Sequence, residues 1–296
     1  RRTLRSNAAS EETSQVVFHY PPEASASDRV AINNLDKART QEGEFLNDSL
    51  VDLYLKHMHR EAFKTWDDRG GGRMDADKVH VFSSHFFTKL TEGRLTNFDA
   101  AYSKVQYWTR NVDLFSKKFV FVPVVENMHW SLACIANLDN VKVGKGVDDY
   151  GPNEEQPCLL FMDSLDMHHA KRIWSFLRRY LNEKWKEVSG DNGGDAAFDW
   201  GELPLVQPSV PLQMNGCDCG VYVLRYAKEI CQQWPPVTSG QVKDKLRACF
   251  KPQLFSPSDI SDERLKMMEL LEECKARYDA EKQKKGKGKG KAGGKG

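Results

Sequence analysis

The stretch Gln213-Met214-Asn215-Gly216-Cys217-Asp218-Cys219-Gly220 holds the side chains of this sequence best suited to nucleophilic chemistry. Asn215-Gly216 is a turn signal, and the apolar run from Val221 to Ala227 behind it reads as a helix. Cys219 therefore stands at or near a helix N-terminus, where unpaired N–H groups and the helix dipole favour an anion. For a thiol that anion is the thiolate, the form that attacks a carbonyl. Gln213 lies upstream with a side-chain amide suited to an oxyanion hole, and the Cys219 backbone N–H is a second donor.

A thiolate nucleophile needs a base and something to hold that base. His129 follows the turn Glu126-Asn127-Met128 and opens a strand, so its ring can reach a cleft at the sheet end, with Trp130 on the opposite face or flanking the same opening. Asp163 ends a later strand; paired beside the first, it brings a carboxylate to the same end, where it can hold the imidazole through its other nitrogen. Taken singly, each residue has a plainer reading: a buried hydrophobe for the Cys, a surface or satisfied core residue for the His, a turn or cap for the Asp. Their joint order and placement is what points to a thiol-dependent hydrolase. A zinc site fits poorly, because structural zinc favours cysteines separated by roughly two to four residues and needs a second pair, while the other cysteines are scattered through apolar segments. His168 and His169 fall at a helix start and are expected to be solvated. No metal and no organic cofactor is expected.

These side chains need a framework that carries them to one place. Val16 to Tyr20 spells a short strand stopped by Pro21-Pro22, and order is expected to begin there, with residues 1–15 disordered. Asn47 and Asp48 are candidate caps for a helix with Leu50, Val51, Leu53, Tyr54, Leu55 and Met58 on its buried side. Further helical patterns over 84–92 and 99–110 make the first part a mostly helical lobe. Two β-branched and aromatic runs, 119–125 and 129–136, flank the turn before His129 and read as a hairpin. A polar insertion over 139–156 precedes a third strand, 158–163, and residues 169–187 carry the clearest helical period. After a loop at 188–202, residues 204–210 read as an edge strand because they contain two prolines. A final amphipathic helix is expected over 261–281. The Lys-Gly run at 282–296 has nothing with which to form a core and is expected to be disordered. The catalytic part is then 16–281, a single α+β domain with a helical lobe packed on a central mixed sheet.

Composition narrows the function classes. A chain of 296 residues, 40% hydrophobic and 10% aromatic, sustains one substantial core. It has no apolar run long enough to span a bilayer and no apolar signal stretch behind Arg1-Arg2-Thr3, so an intracellular protein with no membrane partner is expected. Starting on Arg, it reads as an excerpt of a longer polypeptide or a processed chain. Seven cysteines, an odd set, point to reduced thiols in a cytosolic or nuclear compartment. The formal charge of +1 includes the lysines of the Lys-Gly run, and the body without them is net acidic, which lacks the basic footprint of a nucleic-acid binder.

Four stretches in order, Phe45-Leu46-Asn47-Asp48, His129-Trp130, Met162-Asp163-Ser164 and Gln213 to Gly220, resemble the ubiquitin-like-protein-specific cysteine proteases, the SUMO (sentrin) proteases. The last has the form Q-x-N-G-x-D-C-G and is the most specific. The resemblance implies a papain-like fold of the SUMO-protease type, with His129 as base, Asp163 as its orienter, Gln213 as oxyanion donor and Cys219 as nucleophile. It implies cleavage after the C-terminal Gly-Gly of SUMO through a thioester, SUMO conjugates as partners, a monomer, and a nuclear rather than cytoplasmic setting. In the family the SUMO tail passes through a narrow tunnel roofed by aromatics: Trp130 matches one wall, Phe45 stands where the other is usually Trp, and Asp48 matches a SUMO-facing position. Tyr20-Pro21-Pro22, upstream of Glu42 to Asp48, resembles the branch that edits poly-SUMO chains, although Ala24-Ser25-Ala26-Ser27 replaces the Lys-Gly-Gly of its animal members. A protease for another modifier such as NEDD8, a catalytically silent SUMO-binding module, and a nucleic-acid binder acting through the Lys-Gly run are the rival readings.

Overall fold

A computed structural model describes residues 15–25, 28–60, 75–92, 95–141, 149–189, 200–238 and 240–290. The expectations for residues 1–14, for Ala26 and Ser27, for 142–148 of the 139–156 insertion, for 190–199 of the 188–202 loop, and for 291–296 lie outside the described residues.

Strands β1 (Val16–Tyr20) and β2 (Val30–Asn33) form a small antiparallel ribbon, and helices α1 (Asn34–Ala38) and α2 (Asp48–Arg60) follow it. The Asn47 side chain caps α2 by accepting the Leu50 N–H at 3.2 Å. Next come β3 (Val79–Val81), α3 (His85–Thr91), α4 (Phe98–Val105), β4 (Phe119–Glu126), β5 (His129–Ala136), β6 (Cys158–Met162) and α5 (Ala170–Ser189). The chain closes with β7 (Leu205–Val206), α6 (Cys219–Gln233), α7 (Val242–Cys249) and α8 (Pro257–Gly290). The five strands β3-β4-β5-β6-β7 form one mixed sheet, antiparallel at its centre and parallel at its two edge pairs.

Alternation along the central strands sorts the core into two. Trp130, Leu132, Cys134 and Ala136 of β5 pack with Leu50 of α2, Val223 of α6 and Met267 of α8. Ala133 and Ile135 face the other way, toward Phe86 of α3 and Ile173 and Leu177 of α5. A strand covered on both faces gains nothing from polar alternation, which is why β4 and β5 read as nearly continuous apolar runs. The helices of the expected lobe therefore divide: α2 joins the face of α6 and α8, while α3 and α4 lie on the face of α5.

Two boundaries differ from expectation. The edge strand expected over 204–210 shrinks to Leu205–Val206, since Pro204 and Pro208 have no N–H to give a ladder. Helix α8 runs past Glu281 to Gly290, into the Lys-Gly run. Among the described residues no helix is long and apolar enough to cross a membrane.

Candidate active site

The turn before α6 is tied by Asn215, whose Oδ1 accepts the N–H groups of Cys217 (3.2 Å) and Asp218 (3.1 Å) and whose Nδ2 donates to Asp218 Oδ2 (2.7 Å). Asp218 occupies the N-cap position and Cys219 is the first helical residue, 1% exposed. The helix start can sit so deep because the next residue is Gly220: a Cβ there would lie 2.9 Å from the Leu46 Cβ. Gly220→Ala is expected to force Leu46 and the helix apart at a cost of about 1–3 kcal/mol, measurable as a lowered midpoint in chemical unfolding.

Strand pairing delivers the other partners. The β5–β6 register pairs Leu132 with Met162, so Asp163, one step on, falls opposite Ser131 and diagonal to His129. His129 opens β5 after Asn127 and Met128, both in left-handed conformation, which close the β4–β5 hairpin. His129 is buried, and its Nε2 meets Asp163 Oδ1 at 2.5 Å. Asp163 also accepts the backbone N–H groups of Leu165 (3.0 Å), Met167 (3.0 Å) and His168 (2.8 Å). Burial by itself raises this carboxyl, but the hydrogen bonds from His129 and from the His168 and Leu165 backbone outweigh it and hold the group below the usual carboxylate range.

The proton on His129 follows from that arrangement. Burial pulls the imidazole down, yet the hydrogen bond to Asp163, the interaction with Cys219 and their charges carry it up to about 9. With Nε2 given to Asp163, Nδ1 is left for the thiol; it is buried and has no hydrogen-bond partner among the described residues. At neutral pH the ring then carries a proton on both nitrogens and is able to donate one. Two consequences share one sign. Because the folded value lies above the ordinary 6.5, the stabilisation from this group is complete below about pH 6.5 and fades as pH rises through about 9. Over the same interval kcat/KM is expected to fall as the imidazolium is lost, so a pH profile should show an alkaline limb near 9.

Gln213 is placed by Ser164. The Ser164 hydroxyl donates to Gln213 Oε1 (2.6 Å), the Gln213 N–H donates to the Ser164 carbonyl (3.1 Å), and Gln213 Nε2 donates to the Asn215 carbonyl (2.6 Å). The second amide hydrogen has no partner among the described residues and can serve an oxyanion. Trp130 lies on the other face of β5 and gives its indole N–H to the Leu46 carbonyl at 3.1 Å. Neighbouring Phe45 is 36% exposed, and Asp48 sits half-buried in the first turn of α2. His129, Asp163, Gln213 and Cys219 are thus brought to one end of the sheet, with Trp130 and Leu46 alongside; Phe45 stays at the surface, and no ring contact joins it to Trp130 among the described residues.

Residues 44–261 match the Ulp1 protease family, C-terminal catalytic domain. The chain belongs to this family. A probable ubiquitin-like-specific protease 2B of Arabidopsis thaliana is 31% identical over 215 residues, covering 70% of this chain and 22% of that protein. The sentrin-specific protease 7 of Mus musculus is 29% identical over 272 residues, covering 74% of this chain and 25% of that protein. The chain therefore spans a quarter or less of the length of these two relatives. Among solved structures, a de-sumoylating protease superposes with a TM-score of 0.64 at 24% identity, over 91% of this chain and 95% of that one, which establishes the fold.

Within this Ulp1-family domain two side chains at the site escape sequence reading. His168, expected in solvent, is buried: its Nδ1 lies 2.7 Å from Ser131 Oγ, its Nε2 3.2 Å from the Glu126 carbonyl, and its ring 4.8 Å from that of His129. Burial lowers its pKa, keeping it neutral beside the imidazolium. Adjacent His169 does stand in solvent. Ser164 has a motif signal but no assigned role; its part in holding Gln213 needs the loop geometry. His129, Asp163 and His168 converge closely enough to share a cation, but both nitrogens of His168 and Nε2 of His129 are spent on hydrogen bonds.

Proposed function

We propose that this Ulp1-family domain is a SUMO-specific cysteine isopeptidase that cleaves after the C-terminal Gly-Gly of the modifier, releasing it from conjugates and trimming poly-SUMO chains. The observation that carries the reading is the buried His129–Asp163 pair interacting with a helix-start thiol, with Gln213 held beside it. The Cys219 thiolate attacks the glycine carbonyl and a C–S bond forms; the oxyanion is held by the Gln213 amide and the Cys219 N–H. As the C–N bond breaks, the His129 imidazolium gives its proton to the leaving lysine amine. His129 then takes a proton from water, whose oxygen displaces the thiolate and leaves a free carboxylate.

The modifier assignment rests on the relatives, described as ubiquitin-like-specific and sentrin-specific, and on the surface around the site. The family resemblance puts the Gly-Gly tail between Trp130 and Phe45, with Asp48 meeting the modifier's body. Met128, 76% exposed, and Met214, 88% exposed, are the chain neighbours of His129 and Gln213, and such flexible thioether side chains suit contact with a partner at the site. All seven cysteines are free thiols, as suits a reducing compartment such as the nucleus. Turnover of fluorogenic C-terminal amides of SUMO, NEDD8 and ubiquitin tests the assignment: the SUMO amide is expected to be cleaved and the others not. Cleavage of the NEDD8 amide alone sinks it, and no cleavage of any by a folded protein leaves a silent binding module. Faster cleavage of poly-SUMO chains than of a SUMO precursor is the result expected for an editing enzyme.

A further inference from the structure

Among the described side chains of helix α8, one charged group is almost wholly out of water: Arg264, 5% exposed. Its Nε donates to Asp218 Oδ1 at 2.7 Å, and its Nη2 lies 2.5 Å from the same oxygen. The rest of the guanidinium is spent on backbone carbonyls, with Nη1 donating to Gln41 (3.0 Å) and Arg39 (3.4 Å) and Nη2 to Glu44 (2.7 Å) and Cys217 (3.5 Å). One planar group therefore binds two segments far apart in sequence: the turn that ends on the nucleophile, and residues 39–44, which lead into Phe45 and Leu46.

Both ends of that tie reach the site. Asp218 is the residue immediately before Cys219 and the N-cap of its helix. Leu46 packs on Gly220 and accepts the Trp130 indole N–H. The Asp218 carboxylate, one residue from the thiol, is thus paired with the guanidinium at 2.5–2.7 Å instead of standing alone beside the nucleophile. A buried arginine whose donors are this fully used is fixed in place by its planar fork, which a lysine cannot reproduce.

We propose that Arg264 is a positioning residue for the hydrolytic reaction, locking the Cys219 turn to the 39–46 segment and cancelling the Asp218 charge beside the nucleophile. It lies beyond residues 44–261, the stretch that matches the family's catalytic domain, so the working site includes α8. The inference rests on Cys219 being the nucleophile, and not on the modifier being SUMO.

The test uses Arg264→Met, Arg264→Lys and the double variant Arg264→Met with Asp218→Asn. Thermal unfolding is recorded for each, and rates are measured well below the lowest midpoint. Two readouts are followed: iodoacetamide alkylation of Cys219, mapped by mass spectrometry, and kcat and KM on whichever fluorogenic modifier the wild type cleaves. Arg264→Met is expected to slow alkylation and to lower kcat roughly 10- to 100-fold, as for a misplaced catalytic group. Asp218→Asn in that background should restore alkylation but not kcat, separating charge from geometry. Arg264→Lys should keep near wild-type alkylation with lowered kcat, and it stands in if Arg264→Met does not fold. Wild-type alkylation and kcat in a folded Arg264→Met or Arg264→Lys protein, even one with a lowered unfolding midpoint, would show a purely structural residue and overturn the proposal. Equal alkylation rates for Arg264→Met and the double variant would also overturn it. If Cys219→Ser were to retain full turnover, the nucleophile assignment would fail instead, whatever Arg264 does.

Discussion

Cys219→Ala is expected to lower kcat by roughly 10⁴-fold or more while leaving substrate affinity and the fold in place. The side chain is buried at the first position of α6, where alanine is a good helix former, and its replacement removes one sulfur from a core that continues through Val221 and Val223. Stability should change by no more than about 1 kcal/mol, within the range for removing a small buried group. A second effect distinguishes loss of the nucleophile from general damage. Because interaction with Cys219 helps to raise the His129 imidazole to about 9, its titration followed by NMR should move to lower pH in the alanine variant. An unmoved His129 titration would mean that the two side chains do not interact in solution.

Asp163→Asn is the second large effect, with kcat expected to fall by roughly 10³–10⁴-fold, as when the carboxylate orienting a catalytic histidine is replaced by an amide. The carboxylate accepts from His129 Nε2 and from three backbone N–H groups. An amide oxygen can keep some of these, but its NH₂ must then point at a donor. His129 loses both its preferred tautomer and the charge that raises it, so the alkaline limb near 9 should shift down. The carboxyl sits below its ordinary 3.8, so its contribution to stability is present above that value and is lost as pH falls through the folded one. Wild type should therefore lose more stability than Asp163→Asn on acidification from pH 6 to pH 3. Equal losses, measured by urea unfolding, would show that Asp163 is not the stabilised acid described.

What the sequence reveals of this site is what local chemistry dictates. Asn215-Gly216 before an apolar run specifies a turn and a helix start, and the structure puts Cys219 at the first helical residue. Two apolar runs around Glu126-Asn127-Met128 specify the hairpin, and the alignment of His129 with Asp163 then needs only that β6 pair beside β5. What stays hidden depends on contacts between distant segments. His168 looks like half of a solvated His-His pair, and only Ser131 and the Glu126 carbonyl, supplied by other strands, make its burial affordable. Arg264 looks like one more charge on an amphipathic helix until Asp218 and the 39–44 carbonyls surround it. Strands β2 and β3, of four and three residues, are too short to display a period. Helix α8 continues beyond Glu281 because extending a packed helix costs far less than nucleating one, which composition alone does not register.

Whether Cys219 carries the acyl group of a SUMO C-terminus is decided by incubating the protein with SUMO bearing an electrophile in place of its C-terminal carboxyl, then digesting the adduct and mapping the modified residue by mass spectrometry. A single SUMO adduct on Cys219, absent after Cys219→Ala, is the predicted result. An adduct on another cysteine, or none on a folded protein that reacts with a NEDD8 probe, would contradict it.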